Sequence, residues 1–313
     1  MMSPYHAPVL RGEAVDFLLH NPAGTYIDGT VGGGGHAEYI CDRLGEQGRL
    51  FCCDADEDAV SASRDRLQRF GERVTFIHTN FRELKAELHR HGLGPVDGIL
   101  LDLGVSSYQL DEGSKGFSFR SDGPLDMRMD RRQSFSALDV INTYDEGALA
   151  DLLWRFGEER QSRRIARKVV ASRPVKTTGD LSKAVEKAVG GKFLTKTLAR
   201  VYQAIRIEVN QELSSLKAVL EDSRDMLAPG GRLVVIAYHS LEDRLVKEFL
   251  KHEAATTIPS GNKYIDDQAK VPTFRILTRR PVVATENELR ENARARSAKL
   301  RAAERLPEMG TTA

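Results

Sequence analysis

Between residues 25 and 102 the chain alternates short apolar runs with amphipathic stretches, and no other feature constrains its fold as strongly. Tyr26–Ile27 runs into a glycine loop, and the stretch from Ala37 to Leu44 reads as a helix. Leu50 to Cys53 reads as a second strand ending at Asp54, followed by a helical pattern from Asp58 to Phe70. Val74 to His78 is a third strand, Phe81 to His91 a helix, and Gly98 to Leu101 a fourth strand ending at Asp102. Strands separated by helices of this length join through right-handed crossovers, which makes a parallel sheet and an α/β fold.

The alternation then stops. Ser106 to Met129 is rich in Gly, Ser and Asp and reads as a long loop, of the length that tends to carry function. Helical patterns follow at Leu149–Phe156, Ser162–Ser172, Leu181–Val189 and Leu194–Leu220. Strand character returns at Arg232–Ala237 and again at Thr273–Leu277. The simplest organisation is one sheet domain interrupted after its fourth strand by a helical insert, with boundaries 1–107, 108–215 and 216–313. The segment from Glu286 to Leu306 is charged and alanine-rich, which predicts helix with little apolar face and an end without fixed structure.

The bulk properties exclude several classes. At 313 residues the chain is long for one compact domain, which agrees with an insert. Its net charge is only +1, so an argument for nucleic acid must rest on local clusters. The three cysteines, Cys41, Cys52 and Cys53, form no metal-ligand spacing and no disulfide framework, so no metal site is indicated and a reducing cytoplasm suits them. The start of the chain lacks the basic and apolar stretches of a secretory signal, and the apolar run Leu233–Ala237 is far too short to span a bilayer.

In an open parallel sheet, ligands bind at the C-terminal ends of the strands where the strand order reverses. Four features fall there: the loop Asp28 to His36 with Gly32, Gly33, Gly34 and Gly35; Asp54; Asn80–Phe81; and Asp102-Leu103-Gly104. The glycines let a backbone approach a ligand, Asp54 is placed to accept two ribose hydroxyls, and Phe81 is placed to lie on an adenine. The glycine spacing fits a dinucleotide only weakly, through Ala37, and an adenosine without a pyrophosphate fits it equally well.

Longer phrases are more specific. Asp28 to His36, DLGVSS (102–107), GPLDMRMD (123–130), RFGEERQSRRIA (155–166), QAIRIEVNQEL (203–213), HSLEDRLVKEF (239–249) and ARARSAKLRAAER (293–305) occur in this order, after a start containing Tyr5, His6, Pro8 and Val9. Together they resemble the bacterial 16S ribosomal RNA cytosine-N4 methyltransferase family over nearly the whole chain. The resemblance implies a Rossmann-like methyltransferase sheet with an inserted helical domain and S-adenosylmethionine as cofactor. It implies cofactor contacts at Gly34, Gly35, His36, Asp54, Phe81, Asp102 and Gln109. It also implies a product, N4-methylcytidine in the decoding region of the small-subunit RNA. The loop departs from the family in reading Val31-Gly32-Gly33 where an aromatic and a bulkier residue are common.

Methyl transfer from a sulfonium is an in-line displacement that depends on alignment. The exocyclic nitrogen of cytosine is a poor nucleophile because its lone pair feeds the ring, so an acceptor on its N–H groups would help. Asp102, with Ser106 and Ser107 just beyond, is placed for that role, although Asp102 reads equally as a cofactor contact alone. His239 reads either as a group holding base or phosphate or as the cap of a following helix. Between Arg155 and Lys176 there are eight Lys/Arg and two acidic residues, and between Phe274 and Arg305 nine against four. Such clusters beside a methyltransferase sheet point to phosphate, with Arg163, Arg164 and Arg167 as the named candidates. The expected partner is 16S ribosomal RNA or the small subunit, with room for a homodimer. The competing readings are a methyltransferase for another RNA or a protein, and a cofactor-binding ribosome assembly factor without turnover.

Overall fold

The computed structural model describes residues 8–262 and 264–307 of the chain. Tyr5 and His6, part of the phrase that opens the resemblance, lie outside the described residues, as does the side chain of Ser107. The chain divides into two compact units, one made from His6–Gly104 with Ser215–Ala313 and one built on Val105–Ser214.

The first unit opens with α1 (Arg11–Leu18), β1 (Thr25–Asp28), α2 (Gly35–Cys41), β2 (Arg49–Asp54), α3 (Glu57–Leu67), β3 (Val74–His78), α4 (Leu84–Arg90) and β4 (Val96–Asp102). The second unit holds α5 (Ser107–Asp111), α6 (Ala137–Thr143), α7 (Glu146–Gly157), α8 (Ser162–Val170), α9 (Thr178–Val189) and α10 (Leu194–Asn210). The helix α11 (Glu212–Met226) carries the chain back to the sheet, through β5 (Leu227–Ala237), α12 (Ser240–Glu253), the short pair β6 (Thr257–Ile258) and β7 (Gln268–Ala269), β8 (Phe274–Ile276), α13 (Glu286–Glu291) and β9 (Lys299–Arg305).

Seven strands form one sheet in the order β3-β2-β1-β4-β5-β9-β8. Strands β1 to β5 pair in parallel, and β9 runs antiparallel to both β5 and β8. The central strands are covered on both faces, which is why they read as continuous apolar runs; Ile99, Leu100 and Leu101 are wholly buried and Leu233 to Ala237 nearly so. The strand order reverses at β1 and β4, which places the C-terminal ends of these strands at the switch point.

Sequence and structure part company at the C-terminal segment. The stretch expected to be helical contains one short helix, α13, and then an interior strand. Tertiary pairing overrides the helix propensity of its alanines, arginines and glutamate. Leu300, Ala302 and Ala303 are buried between β5 and β8, while Lys299 and Arg301 both reach Asp243 of α12, at 3.0 and 2.7 Å. The end expected to lack fixed structure is instead tied down by Leu306, whose N–H donates to the Thr273 carbonyl at 2.8 Å. The last strand is therefore β9, and the run from Thr273 to Leu277 supplies the edge strand β8.

The helical unit packs around a core of its own, drawn from Leu125, Met127, Ile141, Leu149, Leu153, Ile165 and other apolar residues through Val209. In α8, Ser162, Ile165, Ala166 and Val169 face inward while Arg163, Arg164, Arg167 and Lys168 face solvent, the spacing of an amphipathic helix. Among its described residues the only β pairing is an isolated bridge, Pro124 with Thr177. The expected single helix from 194 to 220 is broken at Gln211, whose φ of 51° is left-handed. Across that corner Arg206 grips Glu212 with two hydrogen bonds of 2.8 Å. The expected long loop contains the short helix α5 and then folds inward: Phe117, Leu125 and Met127 are buried, and the Met127 N–H donates to the Lys115 carbonyl at 3.0 Å.

Candidate active site

Three neighbouring strands of the sheet unit, β1, β2 and β4, end in an aspartate, and each carboxylate is held differently. Asp54 accepts the Gly32 N–H on Oδ2 and the Asp56 N–H on Oδ1, both at 2.9 Å. Each oxygen keeps a further lone pair, the arrangement that suits a vicinal diol. Burial raises the Asp54 carboxyl to about 6 against the pull of these amide donors. Asp28 is 1% exposed; its Oδ1 accepts the Thr30 N–H at 3.2 Å, whereas its buried Oδ2 has no hydrogen-bond partner among the described residues. Burial raises it to about 7, with His36 and the Thr30 amide acting in the other direction.

Asp102 closes the group. Its N–H donates to Thr30 Oγ1 at 2.6 Å, and its Oδ1 accepts the Tyr238 hydroxyl at 2.8 Å. Its Oδ2 lies 3.5 Å from His36 Nδ1. Burial lifts this carboxyl to about 7 although its side chain retains 22% of its surface; the Tyr238 hydrogen bond lowers it and Glu242 raises it. His36 is buried at the start of α2 with Nε2 3.0 Å from the Val9 carbonyl, and burial lowers its pKa.

The glycine loop makes this geometry accessible. Gly34 caps α2 in a left-handed conformation with φ 76°, which strains any residue with a side chain. A Cβ on Gly35 would stand 2.9 Å from the Pro8 ring. Phe81 follows β3 behind the Asn80 cap and packs, partly buried, on the apolar cluster that contains Ile27, Cys53 and Leu84.

The structure thus gathers Gly34, Gly35, His36, Asp54 and Asp102 at one end of the sheet. Other expected site residues have local tasks. His239 caps α12: its Nδ1 accepts the Glu242 N–H at 3.4 Å while Glu242 Oε2 accepts the His239 N–H at 3.2 Å. His239 Nε2 stands 3.1 Å from Glu242 Oε1, but the approach is too poorly aligned for a hydrogen bond. In the helical unit Ser106 and Gln109 form a reciprocal cap of α5, with the Ser106 N–H donating to Gln109 Oε1 at 2.9 Å and the Gln109 N–H donating to Ser106 Oγ at 3.2 Å. Asp28 and Tyr238 are the participants that sequence reasoning missed. The signal for Asp28 is an aspartate at the end of β1, repeated at the ends of β2 and β4.

The two basic clusters separate. In the C-terminal one, Lys299 and Arg301 are bound to Asp243, Arg275 reaches Glu304 at 2.7 Å, and Arg305 donates to the carbonyls of Arg224 and Thr273. These cations serve the fold. On α8, Arg163, Arg164 and Arg167 are exposed, and Arg167 meets Glu146 at 3.5 Å in a pair open to solvent.

Comparison with known proteins gives this arrangement a chemistry. The sequence profile of the MraW methylase family matches residues 3–306. The chain belongs to the MraW methylase family. Among its curated relatives, "Ribosomal RNA small subunit methyltransferase H" of Streptococcus dysgalactiae subsp. equisimilis is 43% identical over 310 residues, covering 96% of this chain and 98% of the relative. The protein of the same name from Dehalococcoides mccartyi is 45% identical over 307 residues, covering 97% and 88%. Among solved structures, an rRNA methylase from Streptococcus thermophilus aligns with a TM-score of 0.42 at 11% identity, covering 95% of this chain and 94% of that one. The present chain, by its own strand order and its family, carries the Rossmann-like methyltransferase sheet and takes S-adenosylmethionine as methyl donor. The residues present fit that group. Asp54 offers paired acceptors for a ribose, and the unsatisfied buried oxygen of Asp28, beside Asp102, offers negative charge to a cation that has left water.

Proposed function

We propose that this methylase transfers the methyl group of S-adenosylmethionine to the N4 amino group of a cytidine in the decoding region of 16S ribosomal RNA. The observation that carries the reading is the placement of Asp102, a part-buried acceptor raised to about 7 at the switch point of a methyltransferase sheet, in a chain whose curated relatives are named for the small-subunit ribosomal RNA. A base is most effective when its pKa lies near the working pH.

When bound, the cofactor supplies an electrophilic methyl group on a positively charged sulfur. Gly34 and Gly35 would admit it to the backbone, Asp54 would hold its ribose and Phe81 would flank its adenine. Asp102 accepts a hydrogen bond from the amino group of the base, which restores its lone pair as a nucleophile. Asp102 would take the proton that the amino nitrogen gives up on gaining the methyl group. His239, as a helix cap, holds the rim of the site in place. The exposed arginines of α8 meet the phosphates.

Small subunits from cells lacking the enzyme, incubated with labelled cofactor and digested to nucleosides, test this. Labelled N4-methylcytidine is the expected product. Label on a protein, on a cytosine C5 or on a ribose oxygen overturns the assignment. Cofactor binding without any turnover would make the protein an assembly factor.

A further inference from the structure

We propose that Tyr238 is a positioning residue whose hydroxyl fixes the Asp102 carboxylate against His36, so that one proton is held between His36 Nδ1 and Asp102 Oδ2 and is released when the sulfonium cofactor binds. The inference rests on the cofactor reading of this site and adds a residue and a proton to it.

The neighbours of His36 and Asp102 favour a shared proton. His36 Nε2 faces the Val9 carbonyl at 3.0 Å, and a carbonyl can only accept, so Nε2 carries a hydrogen. In a neutral imidazole Nδ1 then presents a lone pair, and Asp102 Oδ2 lies 3.5 Å from it. Asp102 has little freedom to turn away. Its backbone N–H is bonded to Thr30 Oγ1 and its Oδ1 takes the Tyr238 hydroxyl at 2.8 Å. Tyr238 is itself anchored, since its N–H donates to Glu242 Oε2 at 2.8 Å and its ring packs in the core beside β5. With the imidazole neutral and the carboxylate ionised, two lone pairs would face each other at a largely buried contact. One proton turns that repulsion into an attraction, as imidazolium with carboxylate or as imidazole with carboxyl.

The surrounding charges hold the proton in place. Asp28 from β1, Arg11 and Glu288 face His36, Glu242 from α12 faces Asp102, and Asp54 from β2 faces Asp28. Burial lowers His36 and raises Asp102, so the shared proton rests on the carboxyl, while the carboxylates, which outnumber the one guanidinium, attract an incoming cation. A sulfonium set against Asp28 and Asp102 supplies that charge, and the proton passes to solvent. Asp102 is left ionised, the state needed to accept a proton from the substrate amine. Without the Tyr238 hydroxyl, ionised Asp102 loses a donor and holds its proton more tightly.

Calorimetry in two buffers of different ionisation enthalpy counts the protons. Between pH 6 and 7 the wild-type protein should release more protons with S-adenosylmethionine than with S-adenosylhomocysteine, which lacks the charge. Affinity for the sulfonium should rise with pH and then level. In Tyr238→Phe, which keeps the ring, the midpoint of that rise should move up by about one pH unit, a tenfold tighter hold on the proton, of the size one hydrogen bond to a charged group provides. The pH profile of methyl transfer should move with it. Equal proton release with the two ligands would overturn the exchange. An unmoved midpoint in a folded Tyr238→Phe variant would reduce Tyr238 to packing. Failure of either ligand to bind would overturn the cofactor reading together with this one.

Discussion

The side-chain amide of Asn210 clasps the backbone around Met127: its Nδ2 donates to the Met127 carbonyl and its Oδ1 accepts the Met129 N–H, both at 2.8 Å. Met127 needs such a clasp because its φ of 60° is left-handed in a residue with a full side chain. The last residue of α10 thereby fixes the GPLDMRMD phrase. Asn210→Leu leaves two backbone groups without partners and should destabilise the protein by about 2–4 kcal/mol, from two hydrogen bonds and the desolvation left behind. Chemical denaturation should show this as a lower midpoint with an unchanged slope. A midpoint within error of wild type would mean that the phrase holds itself.

Removing the Asp54 carboxylate should separate cofactor affinity from stability. Hydrogen bonds to charged groups contribute about 1.5–3 kcal/mol each, so losing two of them in Asp54→Ala should weaken S-adenosylhomocysteine at least a hundredfold. Calorimetry with the folded variant measures it directly. Unchanged affinity would place the ribose elsewhere.

The strand-end carboxyls also predict how ligand-free protein responds to pH. Asp28 and Asp102 are raised to about 7 and Asp54 to about 6, so in this range the folded chain binds protons that the unfolded chain has already lost. Their stabilisation is complete below the ordinary carboxylate range near 4 and disappears as pH rises through 6 to 7. His36 is shifted downward and opposes them, adding stability as pH rises through the ordinary histidine range, but it is one group against three. Ligand-free protein should therefore lose about 2 kcal/mol or more between pH 5 and 8. Saturating S-adenosylmethionine should flatten the curve. Thermal melts across this range decide it, and a ligand-free protein that becomes steadily more stable up to pH 8 would contradict the cause given for these shifts.

The exposed face of α8 is the proposed grip on RNA. Replacing Arg163, Arg164 and Arg167 together by Gln should weaken RNA binding. Its dependence on the logarithm of salt concentration should also fall, by about one unit for each phosphate no longer neutralised. Cofactor affinity should stay within about twofold, because all three belong to the helical unit and the strand-end carboxylates to the sheet unit. Normal RNA binding by the variant would move the RNA surface elsewhere and leave the methylase reading intact.

Much of this architecture is legible from residue order alone. The parallel half of the sheet announces itself because strands covered on both faces must be apolar throughout, as Gly98 to Leu101 and Leu233 to Ala237 are. Asp54 and Asp102 stand out because a charge that ends such a run has few reasons to be there except a ligand. The antiparallel strand β9 hides for the opposite reason. Its residues favour helix taken singly, and what makes 299–305 a strand is the shape of the gap between β5 and β8, together with Asp243, which lies 56 residues from Lys299. The alternation of Lys299 and Arg301 with Leu300 and Ala302 is a period of two, a faint signal beneath a strong propensity. Tyr238 could not be found from the sequence, because its partner Asp102 is 136 residues away. The break at Gln211 hides in a sequence that continues its helical pattern on either side.

The position of β9 sets an order of events. Strand β5 can pair with β4 once residue 237 exists, but its other edge finds a partner only when residues 299–305 are available. Until then β5 presents an open row of N–H and C=O groups along an apolar strand, a surface prone to pairing with other chains. Molecules cut before Lys299 would remain in that state permanently. They would be expected to aggregate rather than to persist as a smaller, less active enzyme.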